Sequence, residues 1–86
     1  MPLYLRLLMV SASPVEVDAW AEARNRHLDR LREAGRLNLA AEFADGDGFV
    51  EILDVADRLE AERVTREDPL VERGLVSWTL RELKPF

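Results

Sequence analysis

The chain has 86 residues and a formal net charge of −5, with no cysteine and 48% hydrophobic side chains. One domain over residues 1–86 is the expectation at this length, and a chain so short buries only about 60% of its unfolded surface. The missing cysteines exclude disulfides and thiolate metal sites, and the acidic balance argues against a nucleic-acid partner. Residues 1–36 carry six basic and five acidic side chains, whereas residues 37–86 carry six and twelve, and no basic aromatic strip offsets that excess. No signal-peptide pattern and no apolar run of about 20 residues is present, so a cytoplasmic protein without a membrane segment is the default. The apolar content is high for the size and points to a surface kept for a partner subunit.

Leu3 to Val10 is apolar on both alternating faces apart from Arg6, the pattern of a strand covered on two sides. Ser13-Pro14-Val15-Glu16 is a helix start: Ser13 caps, Pro14 fits the first helical position and Glu16 reaches back. The spacing predicts one helix to about Ala34, closed by Gly35. Its inward stripe is Val17, Trp20, Arg24, His27, Leu28, Leu31 and Ala34, so a cation and the only histidine interrupt an apolar seam.

Leu37 to Phe43 reads as a strand with Leu37, Leu39, Ala41 and Phe43 on one face. Asp45-Gly46-Asp47-Gly48 is a turn, and Phe49 to Val55 is the returning strand. The turn lacks the oxygen ligand that a calcium loop needs, because Phe49 stands two residues after Asp47. Asp57 with Glu60 caps a second helix that ends near Glu67, since the residue before Pro69 is pushed out of helical dihedrals. Pro69 to Arg73 forms one further turn, closed by Gly74, and Leu75 to Leu83 alternates as the last strand. Strand, helix, strand, strand, helix, strand is the split βαβ plan of a ferredoxin-like α+β fold, with an antiparallel four-stranded sheet and both helices on one side. A second copy is the simplest cover for the other side.

Histidine titrates near neutral pH and suits general acid–base work when a carboxylate orients it and stabilises its charged form. Asp68 is a candidate for that carboxylate. Each residue also has a structural reading: His27 as a packed core side chain, and Asp68 as the N-cap of the short helix. Arg24, one turn before His27, is either an anion clamp that also depresses the His27 pKa or a member of an ion pair. One histidine and scattered carboxylates give no metal-ligand spacing, and no glycine-rich phosphate cradle or nucleophile elbow is present.

Taken in order, Arg24-Asn25-Arg26-His27-Leu28, Glu33-Ala34-Gly35-Arg36-Leu37, the turn at 45–48, Asp68-Pro69-Leu70-Val71, Gly74-Leu75-Val76 and Lys84-Pro85-Phe86 resemble the YciI-like (YCII-related) family. The resemblance implies a ferredoxin-like subunit pairing into a dimeric α+β barrel, with a cleft centred on a His/Asp pair, here His27 and Asp68. Some relatives in that family are similar to enzymes that eliminate chloride from chlorinated lactones or hydroxyquinols, and many have no assigned reaction. The family's usual Gly-Pro pair is replaced by Ala41-Glu42, which alters the pocket wall expected from the resemblance; Glu42 either points into solvent or adds a second carboxylate near the site, and Asp45 is either a plain turn residue or the pocket's edge.

The expectation is therefore a homodimer, or a higher oligomer, that moves a proton on a small organic acid or lactone by isomerisation or elimination, without a cofactor. His27 and Asp68 are its catalytic pair, and Arg24, Glu42 and Asp45 are its substrate contacts. A ligand-binding or accessory dimer and a cofactor-free monooxygenase-like barrel are the alternatives.

Overall fold

The computed structural model describes residues 2–86; Met1, which the domain expectation included, lies outside the described residues. Four strands, β1 (Leu3–Val10), β2 (Leu37–Glu42), β3 (Gly48–Asp54) and β4 (Val76–Leu83), form one antiparallel sheet in the order β2-β3-β1-β4. The helices are α1 (Pro14–Ala19), α2 (Ala21–Glu33), α3 (Arg58–Arg66) and α4 (Pro69–Glu72). This is the split βαβ arrangement.

The helix starts follow their local chemistry. Ser13 Oγ accepts from the Glu16 N–H at 3.3 Å, and Asp57 Oδ1 accepts from the Glu60 N–H at 2.9 Å. Glu60 closes a capping box by accepting from the Ala56 N–H at 3.0 Å. Gly35 and Gly74, each just beyond a helix, adopt φ of 72° and 70°, where a side chain would be strained.

One helix was expected from residue 14 to about 34, and the structure divides it at Trp20, whose φ of −111° and ψ of 5° break the run. The cause is tertiary. Val17 and Trp20 pack on a cluster of Leu8, Leu70 and Val76, whereas Leu28 and Leu31 belong to a second one with Tyr4, Leu53, Val55, Val64 and Leu80. The turn at Trp20 lets the two segments reach different parts of the sheet, and the Arg73 guanidinium lies 4.0 Å from the Trp20 ring. At the far end Ala34 is exposed as the C-cap of α2 and does not join the inward stripe.

A second correction concerns β2. Leu37 pairs with Leu53 but Leu39 pairs with Ile52, so two residues of β2 oppose one step of β3. This bulge exchanges the faces beyond it. Ala40, not Leu39, packs with Leu37 on the helix side, and Leu39 is 48% exposed.

The sheet thus has two unlike faces. Tyr4, Arg6, Leu8, Glu51, Leu53, Val76 and Leu80 are buried under the helices. The open face carries Leu3, Leu5, Leu7 and Met9 of β1, Val50 and Ile52 of β3, and Leu39 of β2, none of them buried.

Gly48, opposite Met9 at the start of β3, is where two backbones come closest. A Cβ there would stand 2.1 Å from the Leu8 carbonyl oxygen. Gly48→Ala is therefore expected to destabilise the fold by about 2–3 kcal/mol, as overpacking against unyielding backbone does. Urea unfolding of the two proteins measures it, and an unchanged midpoint contradicts the contact.

Candidate functional site

Four elements bring charged side chains to one buried place between α2 and the sheet. Arg6 comes from β1, Arg24 and His27 from α2, Glu51 from β3, and Asp68 from the residue before α4. Arg6, Glu51 and Asp68 are fully buried, and Arg24 and His27 retain 7% and 4% exposure. Arg6 and Glu51 are direct partners in the β1–β3 ladder, which sets their side chains together on the helix side.

Glu51 is the centre of the cluster. Its Oε1 accepts from Arg6 Nε at 2.8 Å and from Arg6 Nη2 at 2.5 Å, and its Oε2 accepts from Arg24 Nη2 at 2.6 Å. Both arginines also flank Asp68 Oδ2, Arg24 Nε at 3.3 Å and Arg6 Nη2 at 3.6 Å. Arg24 stacks over Phe49, 4.2 Å from the ring centroid. Two guanidinium cations thus stand against two carboxylates, so the buried charges balance, the condition under which such a group is tolerated in a low-dielectric interior.

Asp68 uses its oxygens separately. Oδ1 accepts from the Leu70 N–H at 2.9 Å, capping α4, while Oδ2 faces the arginines. Extended dihedrals at Asp68 (φ −66°, ψ 127°), required before proline, hold the carboxylate in this double position.

His27 stands beside the cluster. Its Nε2 is buried without a hydrogen-bond partner among the described residues, and no hydrogen bond or ion pair joins it to Asp68. The relation between the two is electrostatic through space. Burial pushes the His27 pKa down, the Asp68 charge pulls it up, Arg6 and Arg30 push it down, and Glu67 pulls it up. The net direction is down, so the neutral imidazole is favoured at neutral pH.

His27 also lines a cavity of about 410 Å³ with Arg30, Leu31, Ala34, Arg36, Glu67 and Glu72. Arg36 is tied to Glu60 at 3.0 Å. Arg24 and Glu42 lie elsewhere, on a second cavity of about 210 Å³ with Val17, Asn25, Phe49 and Leu70. The candidates named in the sequence are therefore divided: His27 on the larger cavity, Arg24 and Glu42 on the smaller, and Asp68 buried with Arg24 behind both. Asp45 lines neither cavity. It sits in the β2–β3 turn, where its Oδ1 accepts from the Asp47 N–H at 3.1 Å.

Two members of the cluster carried no role in the sequence reading. Arg6 was visible as the single polar break in an apolar strand. Glu51 shares the parity of Phe49, Leu53 and Val55, so it is a carboxylate on the inward side of β3. A buried cation and a buried anion on alternating strands are the signal that pairs them.

The fold is a ferredoxin-like α+β sheet, and its only histidine stands beside a buried cluster of two arginines and two carboxylates. The YCII-related domain model matches residues 4–86, and the chain belongs to that family. Among solved structures it is similar to the 5-chloro-2-hydroxyhydroquinone dehydrochlorinase of Burkholderia phenoliruptrix AC1100, determined in complex with 2,5-dihydroxybenzoquinone. The TM-score is 0.81 over 95% of this chain and 93% of that one, at 16% sequence identity, a likeness of fold. No curated protein matches the chain significantly in sequence. Among the described residues no helix is long and apolar enough to cross a membrane, and no three carboxylate or imidazole groups gather to hold a metal ion.

The depressed His27 pKa has a stability consequence with a definite sign. Its contribution is fully present above the unfolded value of about 6.5 and is lost as pH falls from there through the lower folded value. Between pH 7.5 and 5.5 the Tm of the wild type should fall more than that of His27→Gln. Parallel slopes in thermal melts would contradict the buried neutral imidazole.

Proposed function

We propose that the protein is a small-molecule enzyme in which His27 moves a proton on a substrate seated in the 410 Å³ cavity. The observation that carries this reading is a single histidine, 96% removed from solvent, that lines a cavity while one of its ring nitrogens is buried without a partner and a buried carboxylate acts on it. The burial keeps His27 neutral and hence a base. Once it has taken a proton, the Asp68 charge stabilises the imidazolium. In isomerisation the imidazolium gives that proton back at another carbon; in elimination the C–H electron pair becomes the new double bond, the leaving group departs as an anion with the electrons of its own bond, and the imidazolium loses its proton to water.

Small organic acids, lactones and chlorinated hydroxyquinols are the substrate classes to test. The last follows from the dehydrochlorinase with which this chain shares its fold. Arg30 and Arg36 are cations on the cavity wall that suit an anionic substrate, while Arg24 acts from behind by holding Asp68, with its rim and Glu42 facing the smaller cavity.

We further propose that two copies pair through the open sheet face, where Leu3, Leu5, Leu7, Val50, Ile52 and Leu39 form an apolar surface without a cover in the single chain. Sedimentation equilibrium should give twice the 9.8 kDa chain mass, and Leu5→Glu should halve it. A wild-type monomer at micromolar concentration refutes the pairing.

Thermal-shift screening of those three substrate classes, followed by turnover assays on each binder, tests the enzyme reading. His27→Gln should lower kcat by about 10²–10⁴-fold, the usual worth of a general base, and wild-type activity should decline toward acid with a midpoint below that of an ordinary histidine, as the imidazole protonates. Equal turnover in the variant would sink the assignment. Binding without turnover in the wild type favours the ligand-binding module instead.

A further inference from the structure

Glu51 touches neither cavity, yet two routes lead from it to the charge beside His27. Its Oε1 holds Arg6, whose Nη2 lies 3.6 Å from Asp68 Oδ2, and its Oε2 holds Arg24, whose Nε lies 3.3 Å from the same oxygen. Both routes end on one atom. The geometry points to Glu51 as a positioning residue: its carboxylate gathers the guanidinium groups of Arg6 and Arg24 so that they hold the Asp68 carboxylate in place facing His27. The inference rests on the His27–Asp68 reading given above and extends it to a residue one step removed.

The alternative for Glu51 is a strut that only fastens α2 to the sheet. The chemistry of the cluster separates the two roles. With Glu51 present the four buried groups are neutral in sum. With glutamine there, two cations face a single carboxylate, the local charge becomes positive, and one accepting oxygen is left where two had each fixed a guanidinium.

The charged groups that face His27 are Asp68 before α4, Arg6 of β1, Arg30 of α2 itself and Glu67 after α3; Glu72 of α4 and Arg36 before β2 lie across the cavity. Glu51 is not among them, but its partner Arg6 is, so a response of His27 to a change at Glu51 runs through the Arg6 charge directly as well as through Asp68. A mechanical strut leaves only the first route, in which the effects of Glu51 and Asp68 simply add.

The test is an NMR titration of the His27 ring in the wild type, Glu51→Gln, Glu51→Asp and Asp68→Asn, with the amide spectrum of each confirming the fold. Glu51→Gln should lower the His27 midpoint by about half a pH unit or more, through the uncompensated cations. Glu51→Asp keeps the charge and should recover most of that shift. Asp68→Asn should lower the midpoint on its own, and the double variant Glu51→Gln/Asp68→Asn should shift it by less than the two single changes added, because they act through one chain of contacts. A folded Glu51→Gln protein with the wild-type midpoint overturns the role of Glu51, and so does a double variant whose shift equals the two single shifts added. If Asp68→Asn shifts the midpoint and Glu51→Gln does not, only this inference fails; if neither does, the His27–Asp68 pair fails with it. Should Glu51→Gln not fold, the wild type alone decides: the Arg24 Nε proton resonance must shift with the same midpoint as His27, and its indifference to that titration overturns the proposal.

Discussion

Four charges shut away from water hold this small fold in register with its candidate site. Arg6, Arg24, Glu51 and Asp68 come from β1, α2, β3 and the start of α4, so one cluster relates four separate parts of the chain. Removing one member of such a group strands its partner in a low-dielectric interior, at a cost of about 3–5 kcal/mol, whereas apolar side chains of similar volume would fasten the helix as well. An ionic fastening is thus an unusual choice for stability alone. What it supplies that leucines would not is a fixed negative charge beside the only histidine.

The division of the cavities follows from the path of α2. Its inward stripe presents His27 toward α4 and Arg24 toward Phe49, so one helix separates two walls while the charged cluster lies beneath both. The kink at Trp20 contributes by letting Val17 and Trp20 settle over Leu8 and Leu70 without dragging Arg24 away from Glu51. Asp68 ties the electrostatics to the backbone, because the oxygen that caps α4 and the oxygen that meets the arginines belong to one rigid carboxylate.

Much of this was legible in the residues. Caps at Ser13, Asp57 and Asp68, the prolines after the first and last of these, and the glycines after the helices are local signals, and they placed the elements to within a residue or two. The apolar seam broken by Arg24 and His27 pointed to the site. The features that escaped are those decided by contacts distant in sequence. Nothing near Trp20 breaks a helix by itself; the packing of Val17 and Trp20 on Leu8 and Leu70 does. Leu39 alternates correctly with Leu37 on paper, and only the pairing to β3 reveals the bulge that turns it outward. Arg6 and Glu51 are 45 positions apart, so their union appears only once β1 and β3 are in register.

The bulge in β2 has a bearing on how the protein meets its surroundings. β2 and β4 are the rims of the sheet, where unpaired backbone groups invite another chain to add itself as a further strand. An irregular rim is a poor template for that kind of growth, because the ladder of donors and acceptors falls out of step after two residues. The same extra residue turns Leu39 toward the broad side of the sheet. A single insertion thereby discourages open-ended stacking along the rim and enlarges the greasy surface through which a closed association would form.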